Sequence, residues 1–156
     1  MGKNSYTGGC LCGNIRYALT EPPLFVGTCH CRMCQKWTGR PMFASATFAT
    51  SAVKVLFGSP KKYKSSEVSE RFFCNDCGSS LFTRYCSGGA FDSLTHIMVG
   101  TLDNPEVGKP VFHYGAESEL SWMYSEDGIP RISIDVSDPA KQNDLMAELV
   151  ALGQKT

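Results

Sequence analysis

Cys10-Leu11-Cys12, Cys29-His30-Cys31-Arg32-Met33-Cys34 and Cys74-Asn75-Asp76-Cys77 hold seven of the chain's eight cysteines. Random placement does not give three such tight groups. Thiolates are soft ligands, and a tetrahedral Zn²⁺ takes them at about 2.3 Å. Cys-x-x-Cys turns two sulfurs onto one ion, and Cys-x-Cys is a less usual version of the same convergence. Three groups in one small chain point to bound metal, with zinc first and iron not separated from it by spacing. The eighth cysteine, Cys86, reads as a free thiol at a strand end.

The flanking residues divide the seven into four and three. Cys12 is followed by Gly13 and Cys77 by Gly78. Glycine there allows the positive φ that wraps a turn's amides toward sulfur. Cys10, Cys12, Cys74 and Cys77 are therefore expected to form a closed, structural site that staples the N-terminal hairpin to a distant strand. Its removal should unfold part of the domain. Cys34 runs instead into Gln35-Lys36-Trp37, a helical continuation. Cys29, Cys31 and Cys34 would straddle a helix start, whose dipole favours thiolate. Three sulfurs describe an open, catalytic type of site. Closure by His96, His113 or Cys86 is the competing reading, while His30 is wedged between two ligands that must point elsewhere. Three thiolates blunt a zinc ion's Lewis acidity. Such a site suits the capture of a substrate thiolate, itself a nucleophile for small carbonyls.

Composition bounds the rest. At 156 residues, 42% of them hydrophobic and 11% aromatic, the chain is expected to be one zinc-binding domain over 1–156. Its core would span 5–136, with a C-terminal helix over 138–152. Lys plus Arg and Asp plus Glu both number 15. Zero net charge argues against nucleic acid or an anionic membrane as partner. Seven thiolates and two Zn²⁺ would add −7 + 4 = −3. No run of 18 apolar residues is present. Met1-Gly2-Lys3-Asn4-Ser5-Tyr6 has no apolar signal region, and Tyr6 breaks an approximate myristoylation motif. The expectation is a cytoplasmic protein, where clustered cysteines bind metal more often than they form disulfides.

The pattern along the chain is mostly β. Asn14 to Thr20 alternates, with Ile15, Tyr17 and Leu19 on one face. Leu24–Thr28, Met42–Ala49, Val53–Phe57, Glu70–Cys74, Ser80–Tyr85, Ser93–Val99 and Ile132–Val136 also read as strands. Their spacing suggests a sandwich or open barrel. Ser65 to Arg71 is polar and reads as a turn or an edge. A short helix is expected over Arg32–Thr38, ending at Gly39. The C-terminal helix has Asp138 as N-cap and Pro139 at its first position. Leu145, Leu149 and Leu152 form its packing face, and Gly153 is its expected stop.

Gly8-Gly9-Cys10-Leu11-Cys12-Gly13-Asn14-Ile15-Arg16-Tyr17, Cys29 through Gly39, and Phe73-Cys74-Asn75-Asp76-Cys77-Gly78-Ser79-Ser80-Leu81-Phe82 resemble one family. It is the glutathione-dependent formaldehyde-activating enzyme family, which includes centromere protein V. The resemblance runs from about Tyr6 to Arg131. It implies a β-tent-like fold of open sheets stapled by zinc, with two Zn²⁺ partitioned four and three as above. It also implies a carbon–sulfur lyase that joins glutathione and formaldehyde as S-hydroxymethylglutathione. Carried onto this chain, Cys29, Cys31 and Cys34 would receive the glutathione thiol, and Lys36, Trp37 and Arg40 would contact the peptide. One departure stands out. Where the family often has Ser-Lys-x-Pro-Trp, this chain has Ser118-Glu119-Leu120-Ser121-Trp122. An acidic Glu119 in place of Lys bears on the fit of an anionic tripeptide.

Three hypotheses follow. The first is an enzyme of thiol–aldehyde adducts, its partners a small thiol and an aldehyde. The second is a binding module in which both metals are structural. The third is a redox or metal-buffer protein with a labile second metal.

Overall fold

Alternating burial divides the main sheet into two working faces. The computed structural model describes residues 6–133 and 138–155. Its strands are β1 (Tyr6–Gly9), β2 (Arg16–Leu19), β3 (Phe25–Cys29), β4 (Phe43–Ala49), β5 (Val53–Phe57), β6 (Lys61–Ser66), β7 (Ser69–Phe73), β8 (Ser80–Tyr85), β9 (Leu94–Met98), β10 (His113–Tyr114) and β11 (Arg131–Ile132). Two α-helices, α1 (Arg32–Thr38) and α2 (Pro139–Gly153), and short 3₁₀ turns complete it. The fold is mostly β, as expected. A three-stranded sheet runs β1-β2-β5, and an eight-stranded sheet runs β11-β10-β3-β4-β9-β8-β7-β6. Pairing is antiparallel except at one end, where β10 lies parallel to both β3 and β11.

One face of the large sheet meets the small sheet. Ile15, Tyr17 and Leu19, the apolar face read from the alternation, pack there with Val26, Ala46, Phe48, Leu81, Phe82 and Ile97. The other face carries Phe25, Leu94 and Phe112 against Leu149 of α2. It continues through Phe43 and Met98 to Cys29 and Cys34. Burying a leucine such as Leu149, 2% exposed, contributes roughly 2 kcal/mol.

Most expected strands form within a residue or two of their expected bounds. Ser65 to Arg71 is a hairpin: β6 ends at Ser66 and β7 begins at Ser69. Strands β1, β6 and β10 were not foreseen, because Gly8-Gly9 and Lys61–Lys64 lack an apolar alternation and His113–Tyr114 is only two residues long. Of the strand expected over Ile132–Val136, Ile132 lies in β11 and residues 134–136 lie outside the described residues.

Both expected helices form. Gly39 caps α1 with φ 67°, donating its N–H to Gln35 O at 2.9 Å. Asp138 caps α2 by accepting from Ala140 N. Gly153 does not stop α2 from outside; it is the helix's last residue, and Gln154 behind it keeps right-handed backbone. The glycine answers a different demand. A Cβ there would stand 2.3 Å from Leu24 O, so the helix end lies directly on β3.

Candidate functional site

The first sulfur group is built by two matching turns. Cys10 N donates to Ile15 O and Gly13 N to Cys10 O. Cys74 N donates to Ser79 O and Gly78 N to Cys74 O. Both glycines take positive φ, 83° and 73°, as their positions after Cys12 and Cys77 suggested. The Sγ atoms of Cys10, Cys12, Cys74 and Cys77 lie within 4.8 Å of one another. Cys10 to Cys12 is 3.4 Å and Cys12 to Cys74 is 3.8 Å. These are too long for disulfides. Sulfurs held tetrahedrally at 2.3 Å stand about 3.8 Å apart, so the group fits a zinc ion. Ile15 N donates to Cys10 Sγ, and the Ser79 hydroxyl lies 3.2 Å from Cys77 Sγ. Bonds from Ser79, through its hydroxyl and its backbone N–H, bring Cys77 down to about 5. Asn14 donates across the gap to Asp76 at 2.8 Å, tying turn to turn.

The second group joins Cys29 at the end of β3 to Cys31, the N-cap of α1, and Cys34 within it. Their sulfurs also lie within 4.8 Å of one another. Among the described residues no fourth Cys, His, Asp or Glu completes this group. Hydrogen bonds from Cys29 and Cys34 hold Cys31 down at about 2, and the same contacts push Cys29 up. Three crowded sulfurs with one strongly favoured thiolate suit a soft cation.

Cys86 and His113 are engaged elsewhere, while His96 keeps one ring nitrogen, Nε2, buried and without a hydrogen-bond partner. Cys86 is exposed beyond β8 and donates to Glu67 O. His113 Nε2 lies 2.9 Å from Asp127, and its Nδ1 lies 2.9 Å from His30 Nε2. A carboxylate only accepts, so His113 carries its proton on Nε2. His30 is 1% exposed and lowered by burial. With Glu119 the two histidines form a third compact group. Arg131 donates to both Glu119 and Asp127. Glu119 therefore closes an internal network rather than facing the groove's ligand side. His96 Nδ1 lies 2.9 Å from Thr47 Oγ1, and burial, then Arg71, brings it down to about 4.

Sequence reading missed Arg71. It is 4% exposed, beside the second group, donating to Cys34 Sγ at 3.3 Å and to Thr83 at 3.1 Å. The only signal was the alternation that sets Arg71 with Ser69, opposite Glu70. Trp37 packs with its ring 5.0 Å from the Arg71 guanidinium. Lys36 and Arg40 line an open groove of about 360 Å³ with Arg32, Leu120 and the 70%-exposed Trp122. Gln35 anchors this corner, donating to His30 O and Ser118 O. The structure thus separates Trp37, beneath the sulfurs, from Lys36 and Arg40, beside the groove.

The family model described as glutathione-dependent formaldehyde-activating enzyme matches residues 5–117. A Schizosaccharomyces pombe protein named as an uncharacterized lyase is 34% identical over 85 residues, 53% of this chain. The match spans 60% of that relative's length. The crystal structure of a Rhodobacter sphaeroides protein is similar with TM-score 0.54 and 23% identity, covering 67% of this chain and 96% of the other. That likeness concerns the fold alone. Among the described residues no helix is long and apolar enough to cross a membrane.

Proposed function

The chain belongs to the glutathione-dependent formaldehyde-activating enzyme family, and from that premise we propose a zinc-dependent protein of carbon–sulfur lyase type. It handles adducts of glutathione with an aldehyde, S-hydroxymethylglutathione among them. The observation that carries this reading is the second sulfur group: three clustered sulfurs, a buried arginine on one of them, and a basic groove alongside. Cys10, Cys12, Cys74 and Cys77 hold a structural Zn²⁺ in this reading, and Cys29, Cys31 and Cys34 hold a second. Bound there, zinc supplies the means to keep a substrate thiol deprotonated near neutral pH.

The chain's own residues do the rest. Arg71 offsets negative charge at the sulfurs through its bond to Cys34. Arg32, Lys36 and Arg40 offer cations to glutathione's two carboxylates, and arginine forks suit carboxylates best. Trp122 gives the groove an exposed apolar wall for the peptide backbone. Trp37 acts from below, stacked on Arg71.

Titrating the cobalt-substituted protein with glutathione tests this reading. The expected result is a saturable change toward a four-sulfur spectrum, stronger for glutathione than for simple thiols, and lost in Cys31→Ser. No spectral change overturns it. The alternative, a zinc-stabilised binding module, is favoured by one observation. On edge strand β5, Leu56 and Phe57 are 63% and 62% exposed.

A further inference from the structure

Behind the second sulfur group lies a cavity of about 50 Å³, under α2 on the face of the large sheet away from the small one. Cys29, Cys34 and Arg71 line it. Tyr85, Tyr114, His96 and Leu149 of α2 line it too. Tyr85 and Tyr114 are both half-buried. No other element of the site described so far uses them. Phe43 and Phe112 make much of the remaining wall apolar.

We propose that this cavity is a carbonyl pocket: it takes a small uncharged aldehyde, whose oxygen accepts hydrogen bonds from Tyr114 and Tyr85. The inference rests on the thiol–aldehyde reading above and adds the residues that receive the carbonyl. Cavity and sulfurs adjoin, so a carbonyl carbon at a thiolate on Cys29 and Cys34 has its oxygen within the same lining as the tyrosines. As the C–S bond forms, the sulfur supplies the electron pair and the C=O π pair moves onto oxygen. That oxygen then takes up the proton the thiol gave up. The lyase direction reverses each step. Tyr85 and Tyr114 each carry one O–H to offer. They act as fixed donors aimed at developing charge.

Size and charge set the specificity. About 50 Å³ admits roughly four water-sized groups, at about 12 Å³ for each. An aldehyde of about one to three carbons fits by that measure. Arg71 already faces the Cys34 sulfur, and the other walls offer no second cation, so a carboxylate-bearing aldehyde is disfavoured.

Formamide, an uncharged and unreactive carbonyl, is the test ligand, with formate as its anionic counterpart. Zinc-loaded protein carrying ¹³C-labelled tyrosine is titrated with each and followed by NMR. Saturable shifts of the Tyr85 and Tyr114 signals with formamide, and none with formate, are expected. Tyr114→Phe keeps the ring; it should weaken formamide binding about tenfold and lower turnover about 10²-fold. Leu149→Phe narrows the cavity from α2 without replacing a sulfur and should abolish formamide binding while the cobalt–glutathione spectrum stays unchanged. Silent tyrosines in the wild-type protein overturn the pocket, as does full formamide binding by both Tyr114→Phe and Tyr85→Phe. If glutathione alters the cobalt spectrum and formamide does nothing, only the pocket fails. If glutathione does nothing and formamide shifts the tyrosines, the thiol reading fails and the small-carbonyl site stands.

Discussion

The four-sulfur group is gripped by two matching glycine turns, whereas the three-sulfur group has one helix start and a buried arginine against it. Two glycine turns, their backbone N–H groups and the Ser79 hydroxyl surround Cys10, Cys12, Cys74 and Cys77, on the face where the two sheets meet. Cys29, Cys31 and Cys34 stand on the opposite face, where the buried guanidinium of Arg71 on Cys34 takes the place of a second turn. The same ligand atom thus serves two ends. What differs is whether the surrounding chain spends its polar groups on the sulfurs or keeps room for something else.

Cysteine replacement is the strongest way to break this comparison. Cys74→Ser should lower zinc content from two ions to one and strip amide-exchange protection from β1 and β2. Structural zinc contributes on the order of 10 kcal/mol in small domains. Cys31→Ser should also remove one ion yet leave β1 and β2 protected. If Cys31→Ser costs more stability than Cys74→Ser, the assignment of roles is reversed. Next in size is Leu149→Ala. Urea unfolding should register a loss of about 2–5 kcal/mol with zinc content unchanged, because the leucine packs the second face without touching a sulfur.

Smaller effects sharpen the contrast. Arg71→Lys gives up the stack on Trp37 and the guanidinium bond to Cys34. Competition with a chelator should find metal affinity at the three-sulfur group down about 10–100-fold and the other group unmoved. The smallest effect concerns acid. Folded His96 titrates near 4 and an unfolded histidine near 6.5. Between those values the unfolded chain binds a proton that the folded chain does not. Stability should therefore fall as pH drops from 6.5 toward 4, by about 1 kcal/mol in the first unit. His96→Gln should flatten that slope relative to wild type; equal slopes in the two proteins would remove His96 as its source.

Much of this was legible in the cysteines. Their grouping, the glycines behind Cys12 and Cys77, and the helical run after Cys34 fix a four-and-three division that the sulfur positions respect. Alternation gave β2 and its buried face. The rest depends on pairings distant in sequence. Arg71 is an ordinary strand arginine until β8 and α1 close over it. Tyr85 and Tyr114 are 29 positions apart, and only the parallel placement of β10 on β3 brings Tyr114 to the sulfurs. Gly153 carried the right local signal for a helix end, but its cause is contact with β3, which helix rules do not encode.

Helix α2 lies beyond the stretch that the family model matches, yet its Leu149 lines the cavity beside the cysteines. Chemistry and selectivity are thereby placed on separate parts of the chain. One position on an appended helix becomes a dial: a smaller side chain there enlarges the chamber and a bulkier one shrinks it, with every sulfur left in place. An engineer, or natural variation, can retune what enters by rewriting the tail alone.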